Sequence, residues 1–134
     1  ISGLTATNNE VVTYGGFLYN FGTTEISDSD FISNTSQNRA GAIYVVSGSV
    51  SVVSSNFEGN TAKNYGGTIY NAATLTLTDS SISGGSALYG GAIANAKSMT
   101  ITSCDFSNNT ATKYGGAIYS SSSITTEISG GSFT

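Results

Sequence analysis

The chain has 134 residues with a formal net charge of −4, and it contains 17 Gly but no Pro, Trp or His. Charged residues make up 9%, against about 25% in ordinary soluble domains. Four Lys and Arg supply no basic patch for phosphates, which argues against nucleic acid as a partner. Without His, neither His-based triads nor imidazole metal sites can form.

An apolar content of 38%, rich in Ile, Val, Tyr and Phe, supports a packed core made of strands. No stretch shows the i, i+3, i+4, i+7 pattern of an amphipathic helix. None approaches the ~20 apolar residues of a membrane span. The chain opens at Ile1 without an initiating Met and reads as a mature piece or as part of something longer.

Residues 1–13 read as the end of a preceding coil. A word then recurs at steps of about 25 residues, starting near 14, 39, 65, 89 and 114. Its copies are Tyr14-Gly15-Gly16-Phe17-Leu18-Tyr19-Asn20, Arg39-Ala40-Gly41-Ala42-Ile43-Tyr44-Val45 and Tyr65-Gly66-Gly67-Thr68-Ile69-Tyr70-Asn71. Tyr89-Gly90-Gly91-Ala92-Ile93-Ala94-Asn95 and Tyr114-Gly115-Gly116-Ala117-Ile118-Tyr119-Ser120 complete the set. After the word comes an alternating stretch, as in Leu75-Thr76-Leu77-Thr78 and Met99-Thr100-Ile101-Thr102. A Phe-x-x-Asn word closes the unit at Phe31 to Asn34, Phe57 to Asn60 and Phe106 to Asn109, with Ile82 to Gly85 as a variant.

Three short strands separated by Gly, Asn, Ser and Thr turns, repeated every ~25 residues, describe one coil of a parallel β-helix. The expected fold is therefore all-β, a single β-solenoid segment over residues 1–134 with about five coils and three strands per coil. At about 4.8 Å per coil the stack would stand roughly 24 Å tall.

Period-2 alternation then assigns faces. Leu18, Ile43, Ile69, Ile93 and Ile118 are expected to form one inward ladder. Phe31, Phe57, Ile82, Phe106 and Phe133 form a second, and Asn20, Asn71 and Asn95 an internal amide ladder broken at Val45 and Ser120. Gly66, Thr68 and Tyr70 are expected to point outward.

Two outward rows of tyrosine follow: Tyr19, Tyr44, Tyr70 and Tyr119, and Tyr14, Tyr65, Tyr89 and Tyr114 with Arg39 replacing one ring. Between them lie small residues such as Gly66, Ala42, Ala92 and Ala117. This is either a shallow aromatic groove for glycan rings or a lateral neighbour, or a cover over the backbone. Asn34 and Asn108 head glycosylation sequons, of a kind that chance supplies in a chain this rich in Asn, Ser and Thr.

The acids Asp28, Asp30, Asp79 and Asp105 precede the Phe word. They read either as a weak cation site or as solvated turn residues, and only Asp30 and Asp105 share a column. Cys104 falls on the inward face as a small buried thiol. No catalytic residue, metal site or cofactor is expected.

The word GGA-I/L/V paired with FxxN, clearest at Gly90-Gly91-Ala92-Ile93, Gly115-Gly116-Ala117-Ile118 and Phe106-Ser107-Asn108-Asn109, resembles the repeat of the polymorphic outer membrane proteins first described in chlamydiae. The resemblance covers about residues 14–134. It implies a right-handed parallel β-helix, exposed at cell surfaces and serving adhesion or structure, with no catalytic residues to carry over. The expected function is thus a structural segment or subunit of an extracellular fibre or surface layer. Its partner would be itself, stacked head to tail or continued by the same chain. The alternative is an adhesin stalk that engages a host surface or glycan through the tyrosine face.

Overall fold

Leu75 and Leu77 alternate with Thr74, Thr76 and Thr78, and in the folded chain both leucines are fully buried while the threonines face outward. That period of two is what a strand with one face on a core requires. The computed structural model describes residues 1–121 and 124–134. Among them there are strands and turns and no helix.

The strands stack into four parallel sheets, one per side of the coil. The tyrosine sheet holds Leu18–Asn20, Ile43–Val45, Ile69–Asn71, Ile93–Asn95 and Ile118–Ser120. The long-strand sheet follows, with Thr23–Ser27, Ser49–Val53, Thr74–Thr78, Ser98–Thr102 and Thr126–Ser129. The phenylalanine sheet has six strands, from Thr5–Thr7 to Ser132–Phe133. A short sheet closes the circuit, running from Glu10–Val11 through Thr61–Ala62 to Thr110–Tyr114.

The sequence pattern predicts three strands per coil, and the short sheet is the fourth. Its segments are polar and turn-like, yet their main-chain groups still need partners. Bonds such as Thr61 N–H to the Asn34 carbonyl, 2.9 Å, and Lys63 N–H to the Ser36 carbonyl, 3.1 Å, supply them from the neighbouring coil.

The strands pair in parallel with their equivalents, and the one register shift lies in the short sheet between Ala87 and Tyr89. Leu18, Ile43, Ile69, Ile93 and Ile118 lie one above another. So do Phe31, Phe57, Ile82, Phe106 and Phe133. Phe31 and Phe57 stack at 4.7 Å between ring centroids, as do Phe106 and Phe133, with Ile82 between the two pairs. These two ladders and the aliphatic side chains of the long-strand sheet form one continuous core. Phe133, at the last coil, remains 47% exposed.

One face assignment is overturned. Thr68, expected outside, is fully buried, and so are Ala42 and Ala92 at the same position. The cause is a local break in the ladder. The Ala92 carbonyl accepts from both Thr68 N–H and Ile69 N–H, at 2.9 and 3.0 Å, and the Thr68 carbonyl accepts likewise from Ala42 and Ile43. Two consecutive residues on one acceptor reset the alternation, so both turn inward.

The paired glycines of the repeated word have separate jobs. The first, at Gly15, Gly66, Gly90 and Gly115, sits at φ between +61° and +67°, a region that L side chains disfavour. The second, at Gly67 and Gly91, has no room for a side chain. A Cβ at Gly67 would run into the Gly91 carbonyl, and one at Gly91 into the Gly116 carbonyl.

Candidate functional site

The tyrosine sheet turns Tyr19, Tyr44, Tyr70 and Tyr119 outward in one register column, where Ala94 takes the place of a fifth ring. Tyr14, Arg39, Tyr65 and Tyr89 form the second column through single bridges, and Tyr114 continues it. The two rows do not flank an open groove as the sequence pattern suggests. They mesh. Tyr14 stacks on Tyr19 at 5.8 Å and meets Tyr44 edge-on at 5.4 Å, while Tyr65 meets Tyr70 at 6.0 Å and stacks on Tyr89 at 4.8 Å. Ala42 and Ala92, taken from the sequence as floor residues, lie in the core beneath. Edge-on and offset contacts of this kind suit the ring quadrupoles, and together they cover most of this side of the coil.

Arg39 stands in the wall where a ring is missing from the second column. Its guanidinium lies 5.0 Å from the Tyr70 ring centroid, 5.4 Å from Tyr65 and 6.0 Å from Tyr14, and Nη1 donates to the Tyr44 hydroxyl at 3.4 Å. Its Nε–H is buried without a partner. Burial opposes the Arg39 charge, but the Tyr44 hydrogen bond and the nearby Tyr70 and Tyr44 hydroxyls hold its pKa above the usual arginine value. Burial raises the Tyr70 pKa, against the pull of Arg39. Lys113 lies over the Tyr89 ring at 5.8 Å.

Inside the coil, polar side chains bridge one turn of the solenoid to the next. Asn71 Nδ2 donates to Asn95 Oδ1 at 2.7 Å and to the Ser98 carbonyl at 2.8 Å. Asn20, cut off by Val45, donates instead to the carbonyls of Gly22 and Ser47. Ser120 ends this ladder, its hydroxyl paired with that of Thr126.

A second amide ladder runs through the Asn of the Phe-x-x-Asn word. Asn34 donates through Nδ2 to Asn60 Oδ1 at 3.0 Å and to the Ala6 carbonyl at 3.0 Å. Asn34 is fully buried, so the folded coil has no place for a glycan there, and that sequon reading is corrected. Asn108 is exposed in a turn at φ 54°.

A third ladder went unread in the sequence. Ser29, Ser55 and Ser80 each donate to the carbonyl two residues earlier, and Ser55 and Ser80 also accept the N–H of the serine one coil before. Their spacing of 25 to 26 residues, two positions before the Phe column, was the available signal. Cys104 takes the next rung, with Sγ donating to the Thr102 carbonyl at 3.3 Å. Burial raises its pKa above the usual thiol value, partly offset by backbone contacts with Ser80 and Thr102.

Asp28, Asp30, Asp79 and Asp105 line one open groove of about 620 Å³ with the serines of that corner. The register puts Asp30 and Asp105 in one column. It also puts Asp28 and Asp79 in another, directly after the paired residues Ser27, Val53 and Thr78, a match the sequence reading missed. Among the described residues no group of three or more metal-capable side chains comes together.

Stacked parallel sheets, ladders of identical residues and an aromatic wall define a parallel β-solenoid repeat protein. The family model described as the Chlamydia polymorphic membrane protein repeat matches residues 54–72 and again residues 103–121. Each stretch joins one Phe-x-x-Asn word to the following Gly-Gly word, so the chain carries repeats of that kind. The family is associated with the outer membrane and the cell surface. Neither the curated proteins nor the solved structures gave a match. No helix among the described residues is long and apolar enough to cross a membrane.

Proposed function

We propose that the chain is a non-catalytic structural segment of a rod on an extracellular surface. The observation that carries this reading is the parallel stacking of all four sheets from coil to coil, interrupted by one register shift, between Ala87 and Tyr89 of the short sheet. In such a stack each coil is a template for the next, so length can be added without redesigning the cross-section. The described strands of the last coil pair in parallel with the coil before and leave Ile128 and Phe133 partly open, at 46% and 47%. Both lie in line with the internal ladders. A further coil, from the same chain or from a second copy, would cover them.

A surface role for the repeat family supports the location. The test is electron microscopy and fibre diffraction of the native material. Rods with a meridional reflection near the strand spacing of about 4.8 Å are the expected result. Particles no longer than one 134-residue segment would overturn the extended-rod reading.

A further inference from the structure

The tyrosine wall has one gap, and the gap is a pocket. Along the outward column the residues are Tyr44, Tyr70, Ala94 and Tyr119. Tyr70 and Tyr119 are therefore two strand spacings apart, about 9.6 Å, above Ala94, which is itself only 1% exposed beside the contact of Tyr119 with Tyr89 at 5.3 Å. The resulting cavity, of about 250 Å³, is lined by Arg39, Tyr65, Tyr70, Ala94, Asn95, Ala96, Tyr119 and Ser121. That volume falls below the roughly 300–1,000 Å³ of sites for drug-sized ligands; it suits a single ring.

We propose that this cleft over Ala94 binds one pyranose ring that carries a carboxylate, a uronic-acid-type residue of an acidic glycan. The walls supply the first part of the chemistry, since a sugar presents a C–H face to an aromatic ring. The rim supplies the second. The hydroxyls of Tyr65, Tyr70, Tyr119 and Ser121 line the cleft, and each can donate to and accept from ligand hydroxyls. Asn95 is already committed, its Nδ2 bonded to the Lys97 carbonyl and to Thr126, and serves only as floor.

Arg39 supplies the third. Its guanidinium lines the cleft, Nη1 makes its one hydrogen bond to a described residue, to the Tyr44 hydroxyl, its enclosed Nε–H takes no part, and the groups acting on its charge are tyrosines, with no carboxylate among them. A guanidinium with unspent donors recognises a carboxylate by paired hydrogen bonds. The distribution of charge points the same way. Two of the chain's four cationic side chains, Arg39 and Lys113, lie over this wall, while Asp28, Asp30, Asp79 and Asp105 sit together at another corner of the coil. The inference goes beyond the rod reading and does not depend on it.

The test is a calorimetric or NMR titration of the whole chain with a glucuronate-containing tetrasaccharide, beside the same tetrasaccharide with its carboxyls reduced to alcohols. The parent chain should bind the acidic probe about tenfold more tightly than the reduced one. Ala94→Tyr, which completes the column, should lose at least tenfold in affinity, and Arg39→Gln should abolish the preference for acid. Circular dichroism checks that each variant folds; if Ala94→Tyr does not, Ala96→Tyr at the rim takes its place with the same expectation. Failure of the parent to bind at millimolar probe, equal binding of both probes, or unchanged binding by the filled variant would each overturn the proposal. None of these outcomes bears on whether the chain forms rods.

Discussion

Gly67 and Ala40 show how closely this coil is specified at single positions. Gly67 lies so near the next coil that a methyl group would collide with the Gly91 carbonyl. Gly67→Ala should therefore cost at least about 3 kcal/mol, because the obstacle is backbone and cannot rotate away. Ala40 occupies the column of first glycines at φ 60°, so Ala40→Gly should stabilise by about 1 kcal/mol. Denaturant midpoints measure both, and a mild effect at Gly67 would show that the coils can separate locally. Thr68 offers a second case. Its hydroxyl is buried without a partner, and alanine serves at the equivalent positions Ala42 and Ala92. Thr68→Val keeps the shape and removes the unmet polar atom, so it should stabilise by about 1–2 kcal/mol; a lower melting temperature would mean the hydroxyl finds a bond in solution.

Ladders are the unit of stability at the scale of the element. A side chain in a column touches its own kind at about 4.8 Å above and below, so amides, hydroxyls and rings each satisfy their neighbours. Cys104 is the rung that differs in the serine ladder. Ser80 N–H meets sulfur there, while Ser29 N–H and Ser55 N–H each meet a hydroxyl, at 3.2 and 3.1 Å. Cys104→Ser should restore the pattern and leave stability within about 1 kcal/mol of the parent at neutral pH.

The pH dependence separates the two forms. The Cys104 pKa is higher folded than unfolded, so its contribution is complete below the unfolded thiol value and is lost as pH rises through the folded one. The parent should thus weaken in alkali relative to Cys104→Ser. Parallel stability curves for the two chains would contradict the burial of the thiol.

At the scale of the whole molecule, the coil segregates its chemistry by side. One side is an aromatic wall carrying Arg39 and Lys113; another corner is a groove of aspartates and serines. The aspartates are spread along the stack in two columns separated by Asn56, Ser54, Ser81 and Ser103, so solvent rather than a shared cation should balance them. A chelator should therefore shift the melting temperature by no more than about 1–2 °C. That shift corresponds to a few tenths of a kcal/mol for a domain of this length. A larger fall would mean that a cation bridges the coils at that corner.

Much of this was legible in the sequence because a solenoid repeats the same environment. Columns of Ile, of Phe and of Asn appear directly as recurring letters, and the register follows from their spacing. Three things were decided only by the closed circuit. The Thr68 position turns inward because one carbonyl takes two consecutive N–H groups, which no period-2 count anticipates. The fourth sheet forms from turn-like residues because main-chain groups in the stack must be paired whatever the side chains are. The pocket at Ala94 exists because a small residue stands between rings from the coils before and after it, so the missing ring becomes a cavity only once the coils lie on one another. Periodicity is local along the chain and can be read from it; shared acceptors and the shape of a wall are relations between coils, and they come into being with the stack.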